Sequence, residues 1–181
     1  MSKKPELENQ KDLRTVARKH LEQGAVTEGY SADRMAVVQQ LNQALATELV
    51  CVLRYRRHYF MARGIHSRSV AAEFLAHSNE ELGHADRIAA RIVQLGGEPN
   101  FDPDQLAAQS HAQYVAGTSL EDMIREDLVA ERIAIDSYRS LVQFLAHDDP
   151  TTSDMIKAIL AVEEEHADEL ADLLEDFPNK E

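Results

Sequence analysis

The sequence predicts an all-α protein: an antiparallel four-helix bundle with a long crossover between its second and third long helices. Three observations point there. Gly and Pro are scarce, seven and five among 181 residues, and they sit at segment boundaries. Apolar residues recur at steps of three and four along four long segments, the period of a helix buried on one side. Near the middle of each segment an acidic residue takes a place in the apolar line.

Composition narrows the function classes. Hydrophobic residues make up 44%, which excludes disorder over the whole chain. Aromatics are 6% and Trp is absent, so Leu, Ile, Val and Ala must fill the core. No run of about 18 apolar residues appears, so no membrane span is expected. Met1 to Gln10 has no apolar core and does not read as a secretory signal. A lone Cys51 excludes an internal disulfide framework and a Cys-x-x-Cys knuckle, and the cytoplasm is the default compartment. A net charge of −13 opposes general affinity for nucleic acid and favours attraction of cations.

Residues 1–30 form an N-terminal extension, with residues 31–181 as the bundle domain. Pro5 to Glu22 reads as a short helix ended by Gly24. Lys3, Lys4, Lys11, Arg14, Arg18 and Lys19 there outnumber Glu6, Glu8, Asp12 and Glu22 by only two, so the tail reads as solvated or packed before it reads as DNA-contacting.

The first long helix starts near Ser31, a capping residue, and stops before Gly64. Its stripe is Val38, Leu41, Leu45, Glu48, Val52, Tyr55 and Tyr59. The second runs from about Ser67 to Leu95, stopped by Gly96-Gly97 and Pro99. Its stripe is Phe74, His77, Glu81, His84, Ile88, Ile92 and Leu95. His77 lies one turn before Glu81 and reads as a surface or packing residue. Residues 98–118 are too long for a turn between antiparallel neighbours, so they form the crossover, with room for a short helix in Asp104 to Tyr114. The third long helix starts near Ser119, with Asp122 three residues on as a capping box, and ends near His147. Its stripe is Ile124, Leu128, Glu131, Ile135, Tyr138, Val142 and Leu145. The fourth starts after Pro150, runs towards Asp176, and carries Ile156, Ile159, Glu163, His166, Leu170 and Leu173.

The acidic residues form a pattern. The first and third long helices contribute Glu48 and Glu131 alone; the second and fourth contribute Glu81-x-x-His84 and Glu163-x-x-His166. On a helix, i and i+3 share a face, so each pair can reach one metal ion. Glu48 to Glu81 is 33 residues and Glu131 to Glu163 is 32, so the halves read as a diverged helix-hairpin repeat. Four carboxylates and two imidazoles suit iron, manganese or zinc, and two divalent ions would neutralise the carboxylates. By symmetry Glu81 and Glu163 bridge, Glu48 and Glu131 are terminal, and each histidine binds one ion. Unpaired burial of these acids would be costly, so without metal several should take up protons. Iron is the expected redox metal; zinc would bind without redox chemistry. Asp127, one turn before Glu131, is a candidate to orient a ligating histidine. Tyr55, two turns after Glu48, reads as a core aromatic before an electron donor, and Cys51 as a small packing residue.

Leu41-Asn-Gln-Ala-Leu-Ala-Thr-Glu48, Glu81-Leu-Gly-His84-Ala-Asp86, Gly97-Glu-Pro-Asn100, Asp127-Leu-Val-Ala-Glu131 and Glu163-Glu-Glu-His166 resemble the bacterioferritin branch of the ferritin-like superfamily over about residues 31–176. The resemblance implies a di-iron ferroxidase centre that oxidises Fe(II) with peroxide or dioxygen and feeds a hollow shell. Carried over by motif position, the ligands are Glu48, Glu81, His84, Glu131, Glu163 and His166, holding two iron ions per subunit. Bacterioferritins bind haem through a Met that follows the Glu of the first Glu-x-x-His. Leu82 stands there, so no haem is expected. The N-terminal extension, the long crossover and the short segment after the fourth helix, Phe177 to Glu181, resemble Dps-like miniferritins instead and imply a shell of twelve subunits rather than twenty-four. Some of these carry a cysteine pair beside the site, which a lone Cys51 does not supply. Rubrerythrins are similar in their helices but need a Cys-rich iron domain. The expected function is iron oxidation and storage that protects against oxidative stress. A dimanganese catalase or di-iron oxygenase on the same bundle, and a DNA-binding Dps-type protein, are the alternatives.

Overall fold

The computed structural model describes residues 9–64, 67–175 and 177. Two helical hairpins make the body. Helix α2 (Arg34–Met61) packs along α3 (Ser67–Gln94), and α5 (Leu120–Leu145) along α6 (Pro150–Glu175). Short α1 (Gln10–Val16) precedes them, followed by a 3-10 turn at Leu21–Gln23, and α4 (Pro103–Gln109) lies in the crossover. No strand occurs among the described residues. Contacts fix the directions. The end of α3 meets the start of α6 through Arg91 and Thr152, and early α5 meets late α2 through Asp127 and Arg54. The order is therefore up-down-down-up, with every neighbouring pair antiparallel, and the chain must cross the full length of the bundle between α3 and α5.

The crossover tracks α2 from start to end. Asn42 donates to Val38 O and Glu98 O and accepts from the Asn100 amide. Thr47 Oγ1 accepts from the His111 amide at 3.0 Å. Further on, Arg54 donates to Gln113 O at 2.8 Å, and His58 Nε2 lies 3.1 Å from both Val115 O and Ala116 O. These bonds satisfy backbone groups that a helix would otherwise have paired internally. Gly97 lets the turn after α3 settle on α2, since a Cβ there would stand 2.6 Å from Val38 Cγ1.

Several boundaries differ from the sequence expectation. Asp33, not Ser31, caps α2, accepting from the Met35 and Ala36 amides at 3.1 Å; Ser31 instead bonds Asp148. Ser119 does cap α5, but Asp122 returns to the Thr118 amide and hydroxyl rather than closing a box on Ser119. Pro150 is the first residue of α6, and Asp149 caps it through the Thr152 amide. The expected tail helix is only Gln10–Val16, capped by Asn9, and it breaks before the left-handed His20 at φ 52°. Lys3, Lys4 and Pro5, and at the other end Asp176 and Pro178, lie outside the described residues. In α2 the buried face is wider than the stripe implied: Val37, Cys51, Arg54 and His58 are buried, while Val38, Val52 and Tyr59 are only half-buried.

Two apolar layers fill the interior. One, at the α3–α6 junction end, holds Leu41, Leu45, Ile88, Ile92, Leu145 and Ile159. The other, at the far end, holds Cys51, Tyr55, Phe74, Ile124 and Leu170. Each such side chain contributes roughly 1.5–3 kcal/mol on burial. Between these layers, by position on every long helix, lies a polar one. By length and composition α2 could cross a membrane, but its buried Glu48, Arg54 and His58 are matched to partners on α3, α5 and the crossover.

Candidate metal centre

The polar layer consists of Glu48 from α2, Glu81 and His84 from α3, Glu131 from α5, and Glu163 and His166 from α6. All six are buried, at 5% exposure or less. Their atoms fall into two overlapping groups of four, Glu48, Glu81, His84 and Glu163, and Glu81, Glu131, Glu163 and His166, each within 4.8 Å of one another. Glu81 and Glu163 belong to both. Glu163 turns Oε1 to His84 Nδ1 at 2.9 Å and Oε2 to His166 Nδ1 at 3.7 Å. Glu81 does the reverse, Oε2 to His84 at 3.7 Å and Oε1 to His166 at 3.4 Å. The internal repeat of the sequence thus appears as a local two-fold arrangement.

Buried polar atoms nearly always find hydrogen bonds. Here Glu48 Oε2, Glu81 Oε1, Glu131 Oε2, both Glu163 oxygens and the Nδ1 atoms of His84 and His166 have none. A set of carboxylate oxygens and imidazole nitrogens that converge at ion-pair distances without making hydrogen bonds is the chemistry that a pair of divalent cations satisfies.

The protonation pattern follows from the crowding. Burial, then the Glu81 and Glu163 charges, push Glu48 and Glu131 well above the usual carboxylate range. Burial opposes ionisation of Glu81 too, but Glu48, His166 and His84 close beside it hold it well below that range. The histidines go the other way. Desolvation disfavours their charge, yet close carboxylates, Glu163 foremost, raise His84 to about 12 and His166 to about 10.

Residues around the six divide the sequence expectations. Tyr55 is fully buried and its hydroxyl donates to Glu131, across the bundle, not to Glu48 on its own helix. Tyr138 mirrors it, donating to Glu48. Sequence reading placed Tyr138 only in a stripe. The signal was present: each tyrosine follows its helix's lone Glu by seven residues, Glu48 to Tyr55 and Glu131 to Tyr138. Asp127 does not orient a ligating histidine as expected. Arg54 Nε donates to one of its oxygens at 2.9 Å and His58 Nδ1 sits 2.7 Å from the other, so it ties α2 to α5. His77 is not a surface residue; it is 1% exposed and its ring stacks on that of His166 at 4.0 Å. Glu80, which the sequence analysis did not single out, accepts from His166 Nε2 at 2.7 Å and so leaves Nδ1 facing the centre. Cys51 is buried and unpaired, as a packing residue would be.

Residues 38–179 match the model of the ferritin-like domain. The bacterioferritin of Rhodobacter capsulatus is 30% identical over 136 residues, 73% of this chain and 78% of that protein. The bacterioferritin of Streptomyces coelicolor is 31% identical over 135 residues, 74% of this chain and 77% of that one. Among solved structures, a dodecameric thioferritin, the bacterioferritin-related protein from Bacteroides fragilis, superposes with a TM-score of 0.78 at 34% identity, covering 81% of this chain and 88% of that chain. Dps from Thermosynechococcus elongatus, at 20% identity and a TM-score of 0.75 over 77% of this chain and 90% of that chain, shares the fold. With its helix order, crossover and matched length, the chain belongs to the ferritin-like domain family and is a relative of the bacterioferritins.

Proposed function

We propose that the chain is a ferroxidase of miniferritin type, which oxidises Fe(II) at a two-cation centre and deposits ferric mineral in a shell of its own copies. The observation that carries the reading is the pair of four-residue groups that share Glu81 and Glu163. Glu48, Glu81, Glu163 and His84 would hold one iron ion, and Glu131, Glu81, Glu163 and His166 the other. Bound there, iron supplies one-electron redox chemistry towards peroxide or dioxygen, whereas manganese or zinc would fit the same donors. The protein's part is to hold the pair together: the shared carboxylates are positioned by packing from two helices, and Tyr55 and Tyr138 fix the terminal ones. Excluding water from a buried layer keeps the ligand geometry fixed between turnovers. Leu82 lacks the thioether that a bacterioferritin-type haem needs, so no haem is assigned.

The dodecameric B. fragilis relative supports a homo-oligomeric shell of twelve, and the acidic net charge supports weak DNA binding or none. Storage with consumption of oxidant would protect the cell against oxidative stress, and the cytoplasm is the expected site. Glu81→Ala and Glu163→Ala each remove a shared ligand and its charge, and each should abolish fast Fe(II) oxidation followed by stopped-flow absorbance. Oxidation at the wild-type rate in either variant would overturn the centre.

A further inference from the structure

Three buried ionisable side chains stand one turn from the centre without belonging to it. Arg54 and His58 on α2 and Asp127 on α5 are each 1% exposed or less. Every polar side-chain atom of the three is engaged. Arg54 Nε donates to Asp127 Oδ1 at 2.9 Å, Nη1 to Gln113 O at 2.8 Å and Nη2 to Asp127 O at 3.5 Å. His58 Nδ1 lies 2.7 Å from Asp127 Oδ2, and Nε2 lies 3.1 Å from both Val115 O and Ala116 O. A buried ionic cluster of this kind adds little net stability, because desolvation offsets the attraction. Its geometry points instead to Glu131.

Asp127 precedes Glu131 by one turn of α5, and in an α-helix the carbonyl of the earlier residue receives the amide of the later one. Arg54 therefore grips, from α2, the peptide group from which Glu131 hangs. Its neighbour Tyr55 donates to the Glu131 carboxylate itself. Consecutive residues of α2 thus hold Glu131 by main chain and by side chain. Glu48 has only the second kind of hold, from Tyr138. The internal repeat that carries Glu48 to Glu131 and Tyr55 to Tyr138 carries Arg54 to Ser137, His58 to Leu141 and Asp127 back to Ala44. Ser137 donates to Ala134 O of its own helix, and Ala44 and Leu141 have no polar side-chain group. With Tyr138, these three line a cleft of about 520 Å³ where the other half has a packed ionic cluster. The local two-fold symmetry of the ligands and their tyrosines stops at this layer.

We infer that Arg54, Asp127 and His58 are positioning residues that fix Glu131 and act on only one of the two cation positions, the one Glu131 shares with His166. The inference rests on the two-cation reading of the centre. A ligand already held by its main chain loses little freedom when a cation binds, so its position binds more tightly than it would with a loose ligand. Residues that orient a ligand from behind contribute about 10–100-fold to metal affinity. Cobalt(II) serves as the probe, being stable in air, suited to the same donors, and detectable both by absorbance and by anomalous scattering. Titration of the metal-free shell should give two Co(II) per chain. Glu48→Gln should lose one and Glu131→Gln the other, which assigns the two spectra.

Arg54→Met should weaken the Glu131 ion about tenfold or more and leave the Glu48 ion within about twofold of wild type. In crystals soaked at limiting Co(II), the anomalous peak beside Glu131 should fall relative to that beside Glu48. Arg54→Gln keeps one donor for Asp127 and covers the case in which the methionine variant does not fold; it should weaken the same ion to a smaller extent. Asp149→Ala, at the opposite end of the bundle, controls for lost stability and should leave the ratio of the two affinities unchanged. Equal weakening of both ions in the Arg54 variants, as general loosening would give, or no weakening in either, would overturn the positioning role and leave the centre intact. Wild-type protein that takes up no Co(II) would overturn the centre and this inference with it.

Discussion

Burial and neighbouring carboxylates push Glu48 and Glu131 towards the protonated form, against which a cation would have to compete. Both sit well above the ordinary carboxylate range, and His84 and His166 are raised to about 12 and about 10. The two histidines therefore keep protons at neutral pH, and cation binding must release protons there. The sign is set: occupancy strengthens as pH rises and weakens as it falls. Calorimetry at pH 7 in two buffers of different ionisation heat should show a net release of protons, and equal apparent enthalpies in both would contradict it. The tyrosines act on the same carboxylates. Tyr55→Phe and Tyr138→Phe each strip a hydrogen bond from a buried Glu, and each should lower the stability of the metal-free protein by about 1–3 kcal/mol. The two-fold arrangement adds that the losses should be similar. Chemical denaturation of the two variants measures both, and a loss confined to one tyrosine would show the halves to be functionally unequal.

Among the elements, the junction of α3, α6 and the segment before α2 depends on one side chain. Asp149 caps α6, accepts from Thr152 and Tyr30, and receives Arg91 Nη2 at 2.9 Å. Asp149 is 2% exposed, so removing it leaves Arg91 with no ion partner in a mostly buried place. Asp149→Ala should cost about 3 kcal/mol, read as a shift in urea midpoint, with most of the loss retained at high salt because the pair is shielded from solvent. Burial works against ionisation of Asp149, but Thr152, Tyr30 and Arg91 hold it below the usual Asp range. A depressed acid stabilises above its unfolded pKa of about 3.9 and loses that contribution as pH falls through its folded value. Tyr30 is pushed up to about 12 by burial and then by Asp149. Its contribution is complete below about 10 and disappears as pH rises towards the folded value. The junction should therefore weaken in strong acid and again in strong base, and Tyr30→Phe should remove the alkaline limb and lessen the acid one.

For the whole molecule, the decisive quantity is the size of the assembly. The crossover packs α4 against α2, and the B. fragilis relative of similar length is dodecameric. Twelve copies of 20.3 kDa give about 244 kDa, whereas a shell of twenty-four would be about twice that. Light scattering of the metal-free protein separates the two. The larger mass would remove the miniferritin assignment and leave the centre untouched, since all six of its residues come from one chain.

How much of this was legible in the sequence depended on periodicity. The four long helices, the crossover and the six converging residues could be read because a 3.6-residue period puts Glu48, Glu81, His84, Glu131, Glu163 and His166 in line with Leu and Ile that must be buried. Register along one helix is a local property. What lies across the bundle is not. That Tyr55 serves Glu131 and Tyr138 serves Glu48, that Asp127 is occupied by Arg54 and His58, and that His77 stacks on His166 all depend on pairing between helices. Capping was likewise local in chemistry but competitive: Ser31 and Asp33 are both able to cap, and the contact of Ser31 with Asp148 on a distant turn decided between them. The sequence determined which faces are buried and which of their residues are polar, because hydrophobic period alone fixes that. Tertiary structure decided which polar group meets which, because the antiparallel packing of four helices sets those distances.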